Sequence, residues 1–406
     1  MKILFVVARV LLGVLFVFSG LVKLNDPSGF SIKLDEYFDV FSQSWGAVGF
    51  FHFLKSISLG MSLGFCALEV ILGLAILLGW NFKITMPFTG GLILFFTFLT
   101  FYSAYYHKVT DCGCFGDFLK LKPWHSFYKD LALMAIFLVL WKFKAYNRPF
   151  FSIPFGNRTM ALLSSVTLSF GLYCYYFLPV WDFLPYKEGN DIQKIMTYVP
   201  EGQRATDSFD IIWVLQKGND SVKVKTAQYA DYAAKGWQYK NRINQLVIEG
   251  YKSPIHDFSI YDPITSMDMK STFLENKGYQ LVAVIPYVEK VDDAVLKDVN
   301  ELFLSVKKEY GDVKVEKQSD VSQSFAFYNL TASSTQSFQL KQKSLGLSAM
   351  DFYLSDQKML LTMARYNPTI YLLHGAKVLR KWSGLWMPDV DDISEIVLKN
   401  QMHTRS

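Results

Sequence analysis

The chain has 406 residues, 51% of them hydrophobic, 17% aromatic and only 19% charged, a length that allows two or three domains. Its formal charge of +5 sits entirely in residues 1–184, with 14 Lys/Arg against 9 Asp/Glu, while residues 185–406 hold 27 of each. The neutral part has no basic cluster with interleaved aromatics, which excludes nucleic acid. The four cysteines (Cys66, Cys112, Cys114 and Cys174, all in the first part) exclude a disulfide-stapled secreted scaffold.

A membrane crossing needs about 20 mostly apolar residues. Five stretches meet that length in chain order: 3–22, 57–79, 84–106, 126–142 and 159–179. The first has Lys2 ahead of it, as a signal peptide would, but Arg9 interrupts it and no small-x-small cleavage site follows. It is therefore read as a span. The fourth opens close to Lys129 and Asp130, which makes it the weakest of the five. Orientation follows from the Lys/Arg bias of short loops. Lys142, Lys144, Arg148 and Arg158 lie together without an acid, whereas Lys23, Lys33 and Lys55 are outweighed by Asp26, Asp35, Glu36 and Asp39. The N-terminus is thus expected in the cytoplasm. Five spans would deliver the C-terminal half to the periplasmic side of a bacterial inner membrane.

Ionisable groups inside spans face partners rather than lipid. Counting helical rise from the expected ends, Arg9 lies about 9 Å and Glu69 about 15 Å above the inner edge. A flexible arginine bridges that gap, so an Arg9–Glu69 pair locking the first two spans is expected. Lys23 is expected to snorkel to the outer interface. Lys129 and Asp130 are placed near the outer rim, within reach of the next feature.

That feature is "TDCGCFGDF", residues 110–118, a polar gap holding Cys112 and Cys114 one glycine apart. Gly113 removes the steric barrier to a turn that brings two sulfurs together. So small a ring would be strained, and strained disulfides are readily reduced. Asp111 and Asp117 would raise the thiol pKa values, and Lys108, Lys120, Lys122 and protonated His107 or His125 would lower them. Two other readings stay open. Cys112, Cys114, His107 and His125 could ligate a soft metal, although i, i+2 spacing is unlike the usual C-x2-C knuckle, and no metal is expected. A glycine-rich loop with incidental cysteines is the blander account. Cys66 reads as a small core residue within the second span, and Cys174 as either a resolving partner or an inert thiol.

The second half begins with strands. "FDIIWVLQ" and "SVKVKT" flank "KGND", a hairpin signal, and "NQLVIEGY" supplies a third strand. From about residue 254, strands and helices alternate. "YQLVAVIPY" (279–287) is an apolar strand; Val295, Val299, Leu302 and Val306 recur at helical spacing; "SFAFYNL" and "MDFYLS" are further strands. A helix near 356–365 leads into "YNPTIYLLHGAKVLRKW", two strands about His374-Gly375. Strands separated by helices imply a sheet with crossovers. His256-Asp257 and His374 are isolated, and "DVDD" near 389–392 reads as a charged helix start. No phosphate loop, H-E-x-x-H or G-x-S-x-G occurs.

Two resemblances complete this reading. "FSGLVKLNDP" (18–27), "DEYF", "LEVILGLAILLGW" (68–80) and "CGCFGDF" with "KPWHSFYKDLALM" resemble, in order, the DoxX and MauE-like membrane proteins over residues 1–145. The layout with a long tail is similar to a DoxX-like type found in Bacteroidetes whose tail is redoxin-like. This resemblance implies a four-helix membrane bundle supporting disulfide formation or redox maturation of periplasmic proteins; here a fifth span and the tail are added. The tail resembles the thioredoxin-like fold. "SPIHDFSIYD" looks like the opening strand of redoxins, and Asn367-Pro368-Thr369 stands where that fold carries its cis-proline, with Pro368 the candidate. Where that fold places Cys-x-x-Cys, this chain reads "VEKVDD", and the tail has no cysteine.

The expected architecture is thus a membrane helical bundle over 1–183, a small β module over 184–255 and a degenerate thioredoxin-like α/β domain over 256–406. The expected function is a redox accessory acting through Cys112 and Cys114, with the tail docking a periplasmic client or thiol-redox protein. No bound cofactor is expected, with a membrane quinone as the less favoured electron partner. The rival reading is a non-catalytic membrane scaffold or assembly factor of an envelope complex. A small-molecule transporter ranks last, since no broken helices or internal repeats mark a midplane site.

Overall fold

The computed structural model describes residues 1–109, 116–119, 121–248, 250–311 and 325–405. The first part is helical: α1 (Lys2–Asn25), α2 (Pro27–Trp45), α3 (Val48–Ser56), α4 (Ser58–Leu78), α5 (Phe82–Tyr106), α6 (Pro123–Lys142) and α7 (Ile153–Phe177). Four of these, α1, α4, α5 and α7, are long and apolar enough to cross a membrane. The fifth expected span, 126–142, is not among them. It forms α6, whose opening turns, "PWHSFYKD", are polar, while Phe137 and Leu140 further along are buried in the bundle core. α6 nevertheless leads the chain from the end where Asp117 meets the tail back to the end where Arg9 meets Arg148. The start of α1 and the tail therefore stand at opposite ends of the bundle.

The sequence "NDP" breaks one helix and starts the next. Asp26 caps α2 by accepting the Gly29 N–H at 2.9 Å, and Pro27 takes the first helical position, where no N–H is needed. α1 and α4 cross closely because glycines line the crossing. A Cβ on Gly73 would lie 2.8 Å from the Val17 nitrogen and 2.9 Å from the Gly13 oxygen, and one on Gly20 would lie 2.8 Å from the Val70 nitrogen. Small residues let backbones approach where lipid supplies no hydrophobic drive. Gly73→Val is therefore expected to pry the helices apart and sharply reduce the monodisperse fraction recovered in detergent. An unchanged elution profile and melting temperature would refute the close-crossing argument.

After α7 comes a short helix, α8 (Ile192–Thr197), then a three-stranded antiparallel sheet of β1 (Ser208–Lys217), β2 (Asp220–Lys225) and β3 (Gln238–Ile248), ordered β2-β1-β3, with α9 (Thr226–Ala234) between the last two. The expected hairpin turns at Gly218, whose φ of +61° suits glycine. Tyr186 and Ile192 do not join this sheet; they are buried in the core of the sheet that follows.

That second sheet is built from β4 (Tyr279–Ile285), β5 (Phe325–Thr331), β6 (Phe352–Leu354), β7 (Thr369–His374) and β8 (Lys377–Ser383), in the order β6-β5-β4-β7-β8. Its helices are α10 (Lys270–Leu274), α11 (Asp293–Tyr310), α12 (Thr335–Leu345), α13 (Gln357–Met363) and α14 (Val390–Arg405). β4, β5 and β6 are parallel, β7 is antiparallel to β4, and β8 to β7. Every residue of β4 is buried, because both faces are covered. Leu281, Ala283 and Ile285 pack with Val299, Phe303 and Ile393, while Val282 and Val284 pack with Phe258, Met359 and Met363 on the other face. The stretch "SPIHDFSIYD" forms no strand. It lies along the sheet and makes only bridges, from Tyr261 to Leu354 and to Asp268. Asp262 folds the chain back there by accepting the Ile264 and Thr265 N–H groups.

Candidate functional site at the junction of bundle and tail

Three segments distant in sequence meet at Arg365, just past α13. Its Nε donates to Asp26 Oδ2 and its terminal nitrogen to Asp117 Oδ2, both at 2.7 Å. Its carbonyl accepts the Ser28 hydroxyl at 2.7 Å. Asp26 is thus used twice, one oxygen capping α2 and the other holding the tail. The arginine side chain is only 6% exposed. Burial alone would lower its pKa, but Asp26 and Asp117 raise it above its ordinary value, so the charge is held. Two residues on, the Asn367–Pro368 peptide is cis. The Asn367 amide donates to the Tyr287 carbonyl at 2.8 Å, joining this loop to the end of β4.

Asp111, Cys112, Gly113 and Cys114 lie outside the described residues. Their described flanks are firmly placed. Val109 is buried against the bundle and its carbonyl accepts the Ser103 hydroxyl at 2.6 Å; Asp117 is held by Arg365. Cys66 and Cys174 are buried free thiols, Cys66 within the bundle core beside Leu24 and Val70. No group of three or more His, Cys, Asp or Glu side chains that could hold a metal is found among the described residues.

The intramembrane charges pair differently from expectation. Glu69 binds Lys23, not Arg9. Lys23 does not snorkel; it is 2% exposed, and its ammonium lies 4.3 Å from the centre of the Phe96 ring. Arg9 instead donates to the carbonyls of Ile76 and Leu77 at the end of α4 and to Arg148 in the α6–α7 connection. It thereby satisfies carbonyls that a helix end leaves open. Lys129 meets Asp130 at 3.0 Å, and buried Asp130 also accepts the Thr100 hydroxyl at 3.0 Å, tying α6 to α5. Residues near the loop in sequence thus serve helix packing. The isolated His374 packs on Tyr279, with burial and then Lys377 lowering its pKa.

Beside Arg365 a cleft of about 1210 Å³ opens between the two halves. The bundle supplies Asp35, Asp39 and Lys55 from α2 and α3; the tail supplies Tyr287, Lys290 and Tyr366. Lys55 is bound by Asp39 at 2.7 Å. Burial pushes the Asp35 carboxyl up, against the Ser58 hydroxyl and Lys55, which pull it down. The turn after β4, Val288–Lys290, is where the sequence reads "VEKVDD", and Lys290 and Asp292 of that stretch line the cleft facing the bundle.

Residues 1–143 match the family model of methylamine utilisation protein MauE. The match ends at the close of α6, so α7 and the tail lie beyond it. No curated protein and no solved structure matches the chain. Both bundle carboxylates on Arg365, Asp26 and Asp117, fall inside the MauE-matching region, and the arginine falls outside it. Sequence reading marked Asp117 for its effect on thiols and missed Arg365. The one available signal was a charged residue directly before "YNP", in a stretch otherwise read as helix and strand.

Proposed function

We propose that this chain is a multi-pass inner-membrane accessory of thiol–disulfide chemistry, acting on the periplasmic side through Cys112 and Cys114. A client thiolate attacks one sulfur of the oxidised pair, forming a mixed disulfide and releasing the other cysteine as thiolate. The client's second thiolate then displaces the first cysteine. The client is left with a disulfide, and the pair, two electrons richer, is reoxidised by a second thiol-redox protein or a membrane quinone. The tail, read as thioredoxin-like from its order of strands and helices, has no cysteine sulfur to take part. Its role is to dock the client in the cleft.

The observation that carries this reading is Arg365. It binds Asp117, three residues past Cys114, to the same loop that carries Pro368. A docking domain is thereby attached next to the cysteine segment rather than tethered at a distance, which is what proximity requires. The match to MauE and the position of both flanks at the tail end of the bundle support it further.

The test is the redox state of the pair in intact cells, by acid quench and maleimide mass-tagging with and without prior reduction, in single-cysteine variants alongside the parent. A partly oxidised pair that shifts with added reductant is expected. A pair that stays reduced under all conditions defeats the proposal. The scaffold reading then takes over, favoured by a cysteine-free tail ion-paired to the bundle.

A further inference from the structure

The turn after β8 exposes Leu385 (48%) and Trp386 (71%), an unusual cost for a water-facing loop, since buried apolar area is worth about 25 cal/mol per Å². The turn is firmly built. Trp386 N–H donates to the Ser383 carbonyl at 2.9 Å and Gly384 N–H to the Pro368 carbonyl at 2.8 Å. Gly384 lies so close to Pro368 that a Cβ there would stand 2.6 Å from its ring, so the turn is pressed onto the cis-proline loop.

Its position explains the exposure. The Trp386 ring centre lies 6.3 Å from that of Phe177, the last residue of membrane-capable α7. Phe177 is itself 43% exposed, on a helix whose buried residues are only Gly156, Met160, Thr167, Gly171 and Cys174. The outward face of α7 therefore continues without a break onto the tail. A second exposed aromatic run lies at the same end of the bundle, where Phe118 packs on Phe183 at 5.0 Å and on Phe18 of α1 at 5.8 Å.

We propose that Leu385 and Trp386 insert into the lipid headgroup interface, so that the tail rests on the bilayer as well as on Arg365. Aromatic residues with one polar edge concentrate at that depth, and Trp386 stands level with the end of a span. The occupant is bilayer lipid, argued from continuity with the outward face of α7. The consequence is mechanical. Held at Arg365 and at the bilayer, the tail wall of the cleft keeps its distance from α2 and α3. The inference does not depend on thiol exchange.

The test uses the full chain carrying 5-fluorotryptophan in phosphatidylcholine nanodiscs. The fluorine resonance lost in Trp386→Phe identifies Trp386, and half-buried Trp237, packed on Tyr232 of the β module and assigned in the same way, is the control. Doxyl-labelled phosphatidylcholine is expected to broaden the Trp386 resonance away while an aqueous gadolinium chelate leaves it. The control should show the reverse. A Trp386 resonance lost to gadolinium and untouched by doxyl lipid overturns the proposal. Should Trp386→Phe fail to fold, a fluorescent label on Leu385→Cys, quenched either by doxyl lipid or by iodide, decides the same question.

Discussion

Arg365→Met is expected to loosen the tail from the bundle. The substitution keeps most of the side-chain volume but leaves Asp26 and Asp117 as partly buried carboxylates without their cation. Removing one member of a buried ion pair costs about 3–5 kcal/mol. The lower end applies here, because the two carboxylates are 13% and 26% exposed and water can partly replace the arginine. The expected readouts on the full chain in nanodiscs are a clear fall in melting temperature of the tail transition and faster protease cutting between residues 178 and 191. Asp26→Asn separates two roles of one residue. Asparagine caps a helix about as well as aspartate, so α2 should remain while the ion pair is lost, giving a smaller fall than Arg365→Met. Unaltered cutting and melting in both variants would show that the bridge does not hold the halves together.

The second large effect is expected inside the membrane. Lys23→Met strands the Glu69 carboxylate in the bundle core, and Glu69→Leu strands the Lys23 ammonium against Phe96. Each single change should cost about 3–5 kcal/mol, whereas the double change to Met and Leu should come close to the parent, since apolar side chains of similar volume often replace a buried pair without loss. A double-substitution cycle in detergent unfolding measures this directly. Additive losses would mean that the two charges are stabilised separately, against the pairing. If Cys112 and Cys114 cycle as proposed, recovery of stability without recovery of that cycling would reveal a functional duty for the pair beyond packing, the usual reason such groups persist in membranes.

The contrast between these two pairs explains what could be read in advance. Apolar length placed α1, α4, α5 and α7, because a span is a local property of about 20 consecutive residues. The same approach read α6 as a fifth, though it is not among the helices long and apolar enough to cross a membrane. Its second half is apolar enough for the core, but its opening turns are polar. β4 and α11 were also legible, since a continuous apolar run and a 3.6-residue period are written into neighbouring positions. The charges were not. Arg9 and Glu69 were matched by depth along parallel axes, yet the partner of Glu69 proved to be Lys23, at the other end of the same helix α1. The heights themselves were misjudged: Arg9 lies level with Ile76 and Leu77, while Gly20 lies against Cys66 and Val70, so the glycine-lined crossing of α1 and α4 sets Glu69 opposite the C-terminal end of α1.

By itself, then, the sequence determined an apolar helical half with a Cys-Gly-Cys segment inside it, and an α/β tail without cysteine. Periodicity, composition and residue counts are enough for each. Only the tertiary structure decided that Arg365 reaches Asp26 and Asp117 across 339 and 248 residues of chain, and that the turn at Trp386 sits at the end of α7. Such contacts depend on how whole elements are oriented. A buried guanidinium between two carboxylates has no local pattern to announce it, because its partners are chosen by packing and not by spacing.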